Sequence, residues 1–250
     1  MSNRSILLLS GSYVFGSGFL DPYEDTIRAF MEGIAKIIFV PYAADSTNWD
    51  NYTLTVRERF AKFNIFVDGI HEPAIGHKLP KDCKAIFIGG GNTFRLLYQL
   101  QQHNLLPAIR SAVLDSGLRY MGSSAGSNIA CKTICTTNDM PIIYPEKGFD
   151  GLNLLPLQIN PHYIDPDPDS KHKGETRQER IREFHEQHTT PVIGLREGAY
   201  LKVDDEYFSS QQLFLGGNNG AKFFFKGKEP INVTGSGKLI ISEVNCQKFM

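Results

Sequence analysis

The 250-residue sequence has few cysteines and no long hydrophobic run. Its four cysteines are too few for the disulfide framework of a small secreted domain, and we expect neither a metal nor another cofactor: Cys83, Cys131, Cys135 and Cys246. The apolar run at residues 6–9 is too short for a signal sequence or a membrane span. We therefore expect a cytoplasmic protein without a membrane partner.

Charge of one sign is also lacking, since the formal net charge is −1 and no basic run occurs. A nucleic-acid partner is therefore not expected. Hydrophobic residues make up 41% of the chain and charged residues 21%, which is enough apolar material for a large core. No repeat or linker divides the sequence, so we predict one domain over residues 1–250. The sequence does not determine the oligomeric state, and a homodimer stays open.

Short apolar segments alternate with amphipathic ones over the first two thirds of the chain. We predict strands at residues 5–9, 37–41, 64–70, 85–88 and 118–122, and helices at 23–32, 52–63, 92–102, 107–116 and 124–131. Further strands are predicted at 157–160 and 191–195, a charged helix at 174–188, and antiparallel hairpins after residue 200. This pattern indicates an α/β fold with a largely parallel central sheet and helices on both faces.

One segment has the form of a nucleophile turn, G-x-S-x-G. Residues 122–126 read GSSAG, and they stand between a predicted strand and a predicted helix. Glycines two positions before and after Ser124 permit a strained turn that exposes its hydroxyl, whereas Ser123 lacks this symmetric flanking. Ser124 is therefore the candidate nucleophile. The alternative is an ordinary glycine-containing turn with a serine cap.

A second glycine cluster, Gly89-Gly90-Gly91, follows another predicted strand and precedes a helix. Its bare amides are suited to holding an oxyanion, and we predict donors at Gly91 N–H and at Ala125 N–H, the amide after the nucleophile. The alternative is a phosphate-binding loop, although no P-loop lysine follows.

Two of the seven histidines, His71 and His162, stand at the ends of predicted strands, where a general base could reach the nucleophile. The residues alone leave the choice between them open. Glu197 stands at the end of a later predicted strand, where a carboxylate could orient the imidazole.

Six segments in order resemble the peptidase E (α-aspartyl dipeptidase) family. They are GGGNTF (89–94), GSSAG (122–126), TTNDMP (136–141), LQINPH (157–162), HKGETR (172–177) and GLREG (194–198). The resemblance implies a fold related to the flavodoxin-like class I glutamine amidotransferases. It also implies a Ser-His-Glu triad at Ser124, His162 and Glu197, which selects His162 over His71.

The implied activity is hydrolysis of dipeptides with an N-terminal aspartate through an aspartyl-enzyme intermediate. Arg177 offers a bidentate partner for the aspartyl carboxylate, unless it forms a surface ion pair with Glu175 or Asp169. Asp139 is a candidate reader of the free amine, and Asn92 is a further substrate-binding candidate. The alternatives are a cyanophycinase-like serine peptidase and a non-catalytic nucleotide-binding or regulatory protein.

Two features depart from this simple picture. Ser123 and Arg196 stand where members of the family often carry a larger residue and a proline, respectively. Residues 164–173 are acidic because they include Asp165, Asp167 and Asp169. If that segment covers the site, it will repel an anionic substrate.

Overall fold

A computed structural model describes residues 4–169, 171, 174–204, 212–241 and 246–249, and its largest element is a nine-stranded sheet. The spatial order is β13 (Cys246–Phe249), β12 (Gly237–Ile241), β9 (Gln212–Gly216), β8 (Tyr200–Asp204), β1 (Ser5–Leu9), β5 (Arg119–Ser123), β4 (Ala85–Ile88), β2 (Lys36–Val40) and β3 (Phe66–Gly69). Strands β1, β5, β4, β2 and β3 are mutually parallel, and the remaining four pair antiparallel.

Helices cover both faces of the parallel strands. One face carries α1 (Glu24–Phe30) and α2 (Trp49–Ala61), and the other carries α3 (Thr93–Gln102) and α4 (Leu105–Ser116). Alternation along each strand sorts its side chains between the two layers. In β1, for example, Leu7 and Leu9 join the first layer while Ile6 and Leu8 join the second. The predicted α/β fold is confirmed.

A second, four-stranded sheet lies beside the first. Its order is β11 (Ile231–Val233), β10 (Ala221–Phe224), β7 (Val192–Leu195) and β6 (Gln158–Asn160), and α6 (Arg177–Gln187) connects β6 to β7. The strands predicted at 157–160 and 191–195 thus exist but belong to this separate sheet. Periodicity could not show that, because a buried strand looks alike in either sheet. One hydrophobic cluster contains residues of both sheets.

The helix after the nucleophile turn, α5 (Ala125–Asn128), is shorter than the predicted span of 124–131. Its composition explains this, because glycine, serine and asparagine are weak helix formers. The side chains of Ser127 and Asn128 also bond to backbone carbonyls outside the helix, at Leu9 and Ile159. Among the described residues, no helix is long and apolar enough to cross a membrane.

Candidate active site

Ser124 lies in a strained turn between β5 and α5. Its backbone has φ 53° and ψ −110°, a conformation that residues with a side chain rarely adopt. The Ser124 amide donates to the carbonyl of Leu9 at 3.1 Å, which fixes the turn to the end of β1. The strained nucleophile turn expected from the GSSAG motif is therefore present.

The two glycines of the motif allow backbone segments to pass too closely for any side chain. A Cβ atom at Gly122 would lie 2.3 Å from the carbonyl oxygen of Gly126. A Cβ atom at Gly126 would lie 2.1 Å from the carbonyl oxygen of Ile88, the last residue of β4. The absence of a side chain at Gly126 thus allows the nucleophile turn to pack directly against β4, the strand that leads into the glycine loop.

The three residues of the predicted triad form a continuous hydrogen-bonded chain. His162 Nε2 lies 2.9 Å from Ser124 Oγ, and His162 Nδ1 lies 3.0 Å from Glu197 Oε1. The Glu197 side chain is 51% exposed and that of His162 is 37% exposed. The candidate orienting acid is therefore half exposed, because Glu197 stands on the turn between β7 and β8.

Ser10, which directly follows β1, connects the two sheets beneath His162. Its hydroxyl accepts the His162 amide at 3.0 Å and donates to the carbonyl of Leu195 at 2.7 Å. Ser10 N–H donates to Ala199 O at 3.0 Å, so the turn that carries Glu197 is bound on both sides. Ser10 is fully buried. Sequence reasoning missed Ser10, although its place at the end of a parallel strand was a usable signal.

The glycine loop after β4 lies against the nucleophile, since a Cβ atom at Gly90 would be 3.1 Å from Ser124 Cβ. Most of its amides are engaged: Gly89 N–H donates to Val40 O, Gly90 N–H to Tyr52 Oη and Asn92 N–H to Ala43 O. Within the described chain no acceptor binds Gly91 N–H or Ala125 N–H. These are the two amides predicted for the oxyanion, and both are free to bind one.

Tyr52, on α2, is a supporting residue that sequence reasoning missed. Its hydroxyl accepts the Gly90 amide at 3.0 Å, and burial raises the pKa of Tyr52 to about 12, although hydrogen bonds from Gly90 and Ser12 oppose that rise. Ser12 Oγ in turn lies 2.7 Å from Ser123 Oγ in the nucleophile turn. The small Ser123 thus joins a polar network under the glycine loop. No local pattern on α2 marks Tyr52.

The other candidate base, His71, is not part of the hydrogen-bonded series of Ser124, His162 and Glu197. Its Nε2 is 2.9 Å from Asp50 Oδ1, and its ring packs against Trp49. The structure brings His162 to Ser124 and leaves His71 with these other partners.

Asn92 and Asp139, both predicted to bind substrate, have structural partners. Asn92 caps α3 by accepting the Arg95 amide at 3.0 Å, and its amide nitrogen donates to the carbonyl of Met140. Asp139 Oδ2 accepts both the amide and the hydroxyl of Thr93 at the start of α3. The two residues support the glycine loop, and their contact with substrate stays a prediction.

Arg177 is the first residue of α6 and is partly buried. No carboxylate of the described chain lies within ion-pair distance of Arg177. Glu175, one of its two expected surface partners, pairs with Arg180 at 3.5 Å instead. Burial and the neighbouring Arg180 lower the pKa of Arg177, while Asp139 raises it. Arg177 lines a cavity of about 440 Å³ with residues that follow His162, and no triad residue lines this cavity. Ser170, His172 and Lys173 lie outside the described residues.

Comparison with known proteins identifies the family. Residues 6–211 match peptidase family S51. The chain belongs to peptidase family S51. This S51 peptidase is 46% identical over 226 residues to peptidase E of Streptomyces coelicolor, covering 90% of this chain and 89% of that one. It is 44% identical to a probable alpha-aspartyl dipeptidase of Drosophila melanogaster, covering 89% of this chain and 90% of the relative.

Solved structures agree on the fold. A peptidase from an acI-B1 actinobacterium superposes on the S51 peptidase with a TM-score of 0.66 at 14% identity, covering 95% of this chain and 97% of that one. A putative peptidase E from Listeria monocytogenes gives a TM-score of 0.56 at 19% identity, covering 93% and 99%. The predicted family is confirmed, and with it a serine-type peptidase.

Replacing Gly126 with alanine tests the packing of the nucleophile turn. The added methyl group meets the Ile88 carbonyl, so we expect Gly126→Ala to lose about 1–3 kcal/mol of unfolding free energy and most of its activity. Thermal melting and peptidase assays measure both. Gly148→Ala is a control outside the turn, where nothing lies within 4 Å of the added atom. Its φ of +79° strains an alanine, so we expect it to lose about 1 kcal/mol of unfolding free energy but to keep its activity. Equal activity in the two variants would contradict this account of the turn.

Replacing Tyr52 with phenylalanine tests support of the glycine loop. Tyr52→Phe keeps the ring but leaves the Gly90 amide unpaired, so we expect kcat to fall about tenfold with little change in KM. Steady-state kinetics measure the split between the two constants. Tyr42→Phe removes a buried hydroxyl bonded to His77 and serves as the control. A change confined to KM would be inconsistent with a role in holding the oxyanion loop.

Proposed function

We propose that this S51 peptidase hydrolyses dipeptides with an N-terminal aspartate, using Ser124, His162 and Glu197 as its triad. The observation that carries the proposal is the hydrogen-bonded chain from Glu197 through His162 to Ser124, with the nucleophile in a strained turn. The Drosophila relative is named for α-aspartyl dipeptides, which supports the same substrate class.

In the proposed mechanism, His162 Nε2 takes the proton of Ser124 Oγ as that oxygen attacks the carbonyl carbon of the aspartyl residue. The negative charge on the carbonyl oxygen is held by the amides of Gly91 and Ala125, which are free to donate. Glu197 holds His162 in the tautomer that accepts this proton and stabilises the imidazolium.

The tetrahedral intermediate then collapses and the peptide C–N bond breaks. His162 donates its proton to the leaving nitrogen, so the second amino acid departs with a neutral amino group and an aspartyl-Ser124 ester remains. Water then attacks the carbonyl carbon of this ester, and His162 accepts a proton from the water. Release of aspartate returns the proton to Ser124 and restores the starting state.

Arg177 supports the aspartate preference. The Arg177 guanidinium is partly buried and has no carboxylate partner in the described chain. An aspartyl side chain of the substrate would form a bidentate ion pair with it. An uncharged side chain would leave the guanidinium desolvated and unpaired, which gives strong discrimination against Asn-X substrates.

We also propose that the peptidase acts in the cytoplasm. Cys83, Cys131 and Cys135 are free thiols, and the exposed Cys135 fits a reducing compartment. Fluorescence of a tagged full-length chain in cells tests this location.

Removing the nucleophile tests the mechanism. We expect Ser124→Ala to lower kcat for Asp-Leu about 10⁴-fold or more, and to abolish labelling by a fluorophosphonate. Ser111→Ala, which removes an exposed helix hydroxyl, is the control and should keep both activity and labelling. Activity surviving in Ser124→Ala would rule out the scheme.

Removing the guanidinium tests the specificity. We expect Arg177→Met to lower kcat/KM for Asp-Leu about 100-fold while leaving the slow turnover of Asn-Leu unchanged. The exposed Arg182 on the same helix gives the control variant, Arg182→Met. A panel of Asp-Leu, Asn-Leu, Glu-Leu and β-aspartyl-arginine also tests the cyanophycinase-like alternative. An equal loss on every dipeptide would mean that Arg177 is merely structural.

A further inference from the structure

Arg196 and the acidic segment, the two unexplained features near the site, contact each other. Arg196 Nε donates to Asp165 Oδ2 at 2.7 Å, and Arg196 Nη2 donates to Asp165 Oδ1 at 3.2 Å. This is the bidentate geometry in which a guanidinium binds a carboxylate most specifically. Arg196 directly precedes Glu197, and Asp165 follows His162 by three residues. The pair therefore lies beside the triad.

The Arg196 guanidinium is held firmly. Its Nη2 also donates to Asn232 Oδ1 at 2.7 Å, its Nη1 donates to the carbonyl of Asn219 at 3.2 Å, and its side chain is only 17% exposed. The guanidinium carbon lies 6.0 Å from the centre of the Tyr163 ring. An ion pair fixed in this way loses little side-chain entropy, unlike a typical surface pair.

A second cation reaches the same carboxylate. Lys222 Nζ lies 3.3 Å from Asp165 Oδ1 and also donates to Gln178 on α6. Hydrogen bonding from Arg196 lowers the pKa of Asp165, so its carboxylate is ionised at neutral pH and its charge is balanced by cations rather than by a proton.

Asp165 lines the same cavity as Arg177, the proposed partner of the aspartyl side chain. Among the other charged groups of this wall, Glu175 pairs with Arg180, whereas Asp167 accepts the Asp169 amide and has no cation partner among the described residues. With Asp165 neutralised, Arg177 is the cation of the described wall that has no carboxylate partner, and Asp167 is the carboxylate that has no cation. The acidic segment does border the cavity of Arg177, but its Asp165 carboxylate is paired with cations and is not a free anion.

We propose that Arg196 is a specificity-determining residue that neutralises Asp165 and so lets the Arg177 cavity accept an anionic substrate side chain. The inference rests on the proposed function. Without Arg196, Lys222 at 3.3 Å would neutralise Asp165 only in part, so the carboxylate would repel the substrate and compete for Arg177. This weakens substrate binding without altering the triad. Arg196 thus acts through Asp165 and not on the reacting atoms.

The test is a double-mutant cycle on Arg196 and Asp165, assayed with Asp-Leu. We expect Arg196→Met, which keeps the aliphatic stem against Tyr163, to raise KM about fivefold with kcat nearly unchanged. The rise should shrink as ionic strength increases. Adding Asp165→Asn to this variant should return KM towards the wild-type value, because the carboxylate charge that Lys222 neutralises only in part is gone.

Further variants separate charge from geometry. Arg196→Lys keeps the positive charge without the bidentate contact, and we expect it to keep most of the wild-type KM. A loss of kcat in Arg196→Met that Asp165→Asn does not restore would overturn the proposal, because it would mean that Arg196 only shapes the turn at Glu197. An unchanged KM in Arg196→Met would overturn it as well.

Assays of the wild-type enzyme separate a failure of the proposed function from a failure of the role proposed for Arg196. If it fails to prefer Asp-Leu over Asn-Leu, the proposed function itself is wrong. If it shows that preference and Arg196→Met leaves KM unaltered, only the role of Arg196 is wrong. Thermal melting of each variant confirms that the kinetic comparison is made on folded protein.

Discussion

The site depends on a steric constraint: two backbone segments cross the nucleophile turn at distances that exclude a side chain. The Gly126 position faces the carbonyl of Ile88, and the Gly122 position faces the carbonyl of Gly126. This packing forces Ser124 to positive φ and brings it against Gly90. The nucleophile and the glycine loop are therefore positioned by one contact rather than separately. That contact joins β4 to the start of α5, directly after β5, and the parallel pairing of β4 with β5 makes it rigid.

The acid and base of the proposed triad follow strands of the second sheet, and a buried hydroxyl joins the two sheets. Ser10, at the end of β1, binds the backbone of His162 and of Leu195. The turn at Glu197 is further held by Asn219, whose side-chain amide donates to the Glu197 carbonyl at 2.6 Å. Glu197 is half exposed, so its orientation relies on these backbone contacts more than on burial. The hydrogen bond from His162 Nδ1 to the Glu197 carboxylate is charge-assisted, so it can still orient the imidazole at this exposure.

Charge near the site is arranged so that, among the described residues, one cation is left without a carboxylate partner. Asp165 has two cations, and Glu175 and Arg180 have each other, whereas Arg177 has no ion-pair partner in the described chain. Leaving a partly buried cation unpaired costs folding energy, which binding of the proposed aspartyl substrate would offset. The same arrangement resolves the conflict between an acidic segment and an anionic substrate. The departure at Arg196 and the acidity of Asp165 are thus two halves of one interaction.

The sequence by itself determined the elements close to each motif. The GSSAG turn, the glycine loop and the strands at 5–9 and 85–88 follow from local chemistry, because glycine spacing and apolar runs act over a few residues. Residues alone could not choose between His71 and His162, since both follow strands. Family resemblance made that choice, and the tertiary structure agrees by placing His71 beside Asp50.

Only the tertiary structure decided which distant residues support the site. Tyr52 and Ser10 contact partners 38 and 152 residues away, and the second sheet, which carries His162 and Glu197, has no signature of its own in the sequence. The half exposure of Glu197 and the pairing of Arg196 with Asp165 were equally invisible. The physical reason is that hydrogen bonds and ion pairs between elements depend on how strands are ordered in space. A linear pattern of residue types does not encode that order.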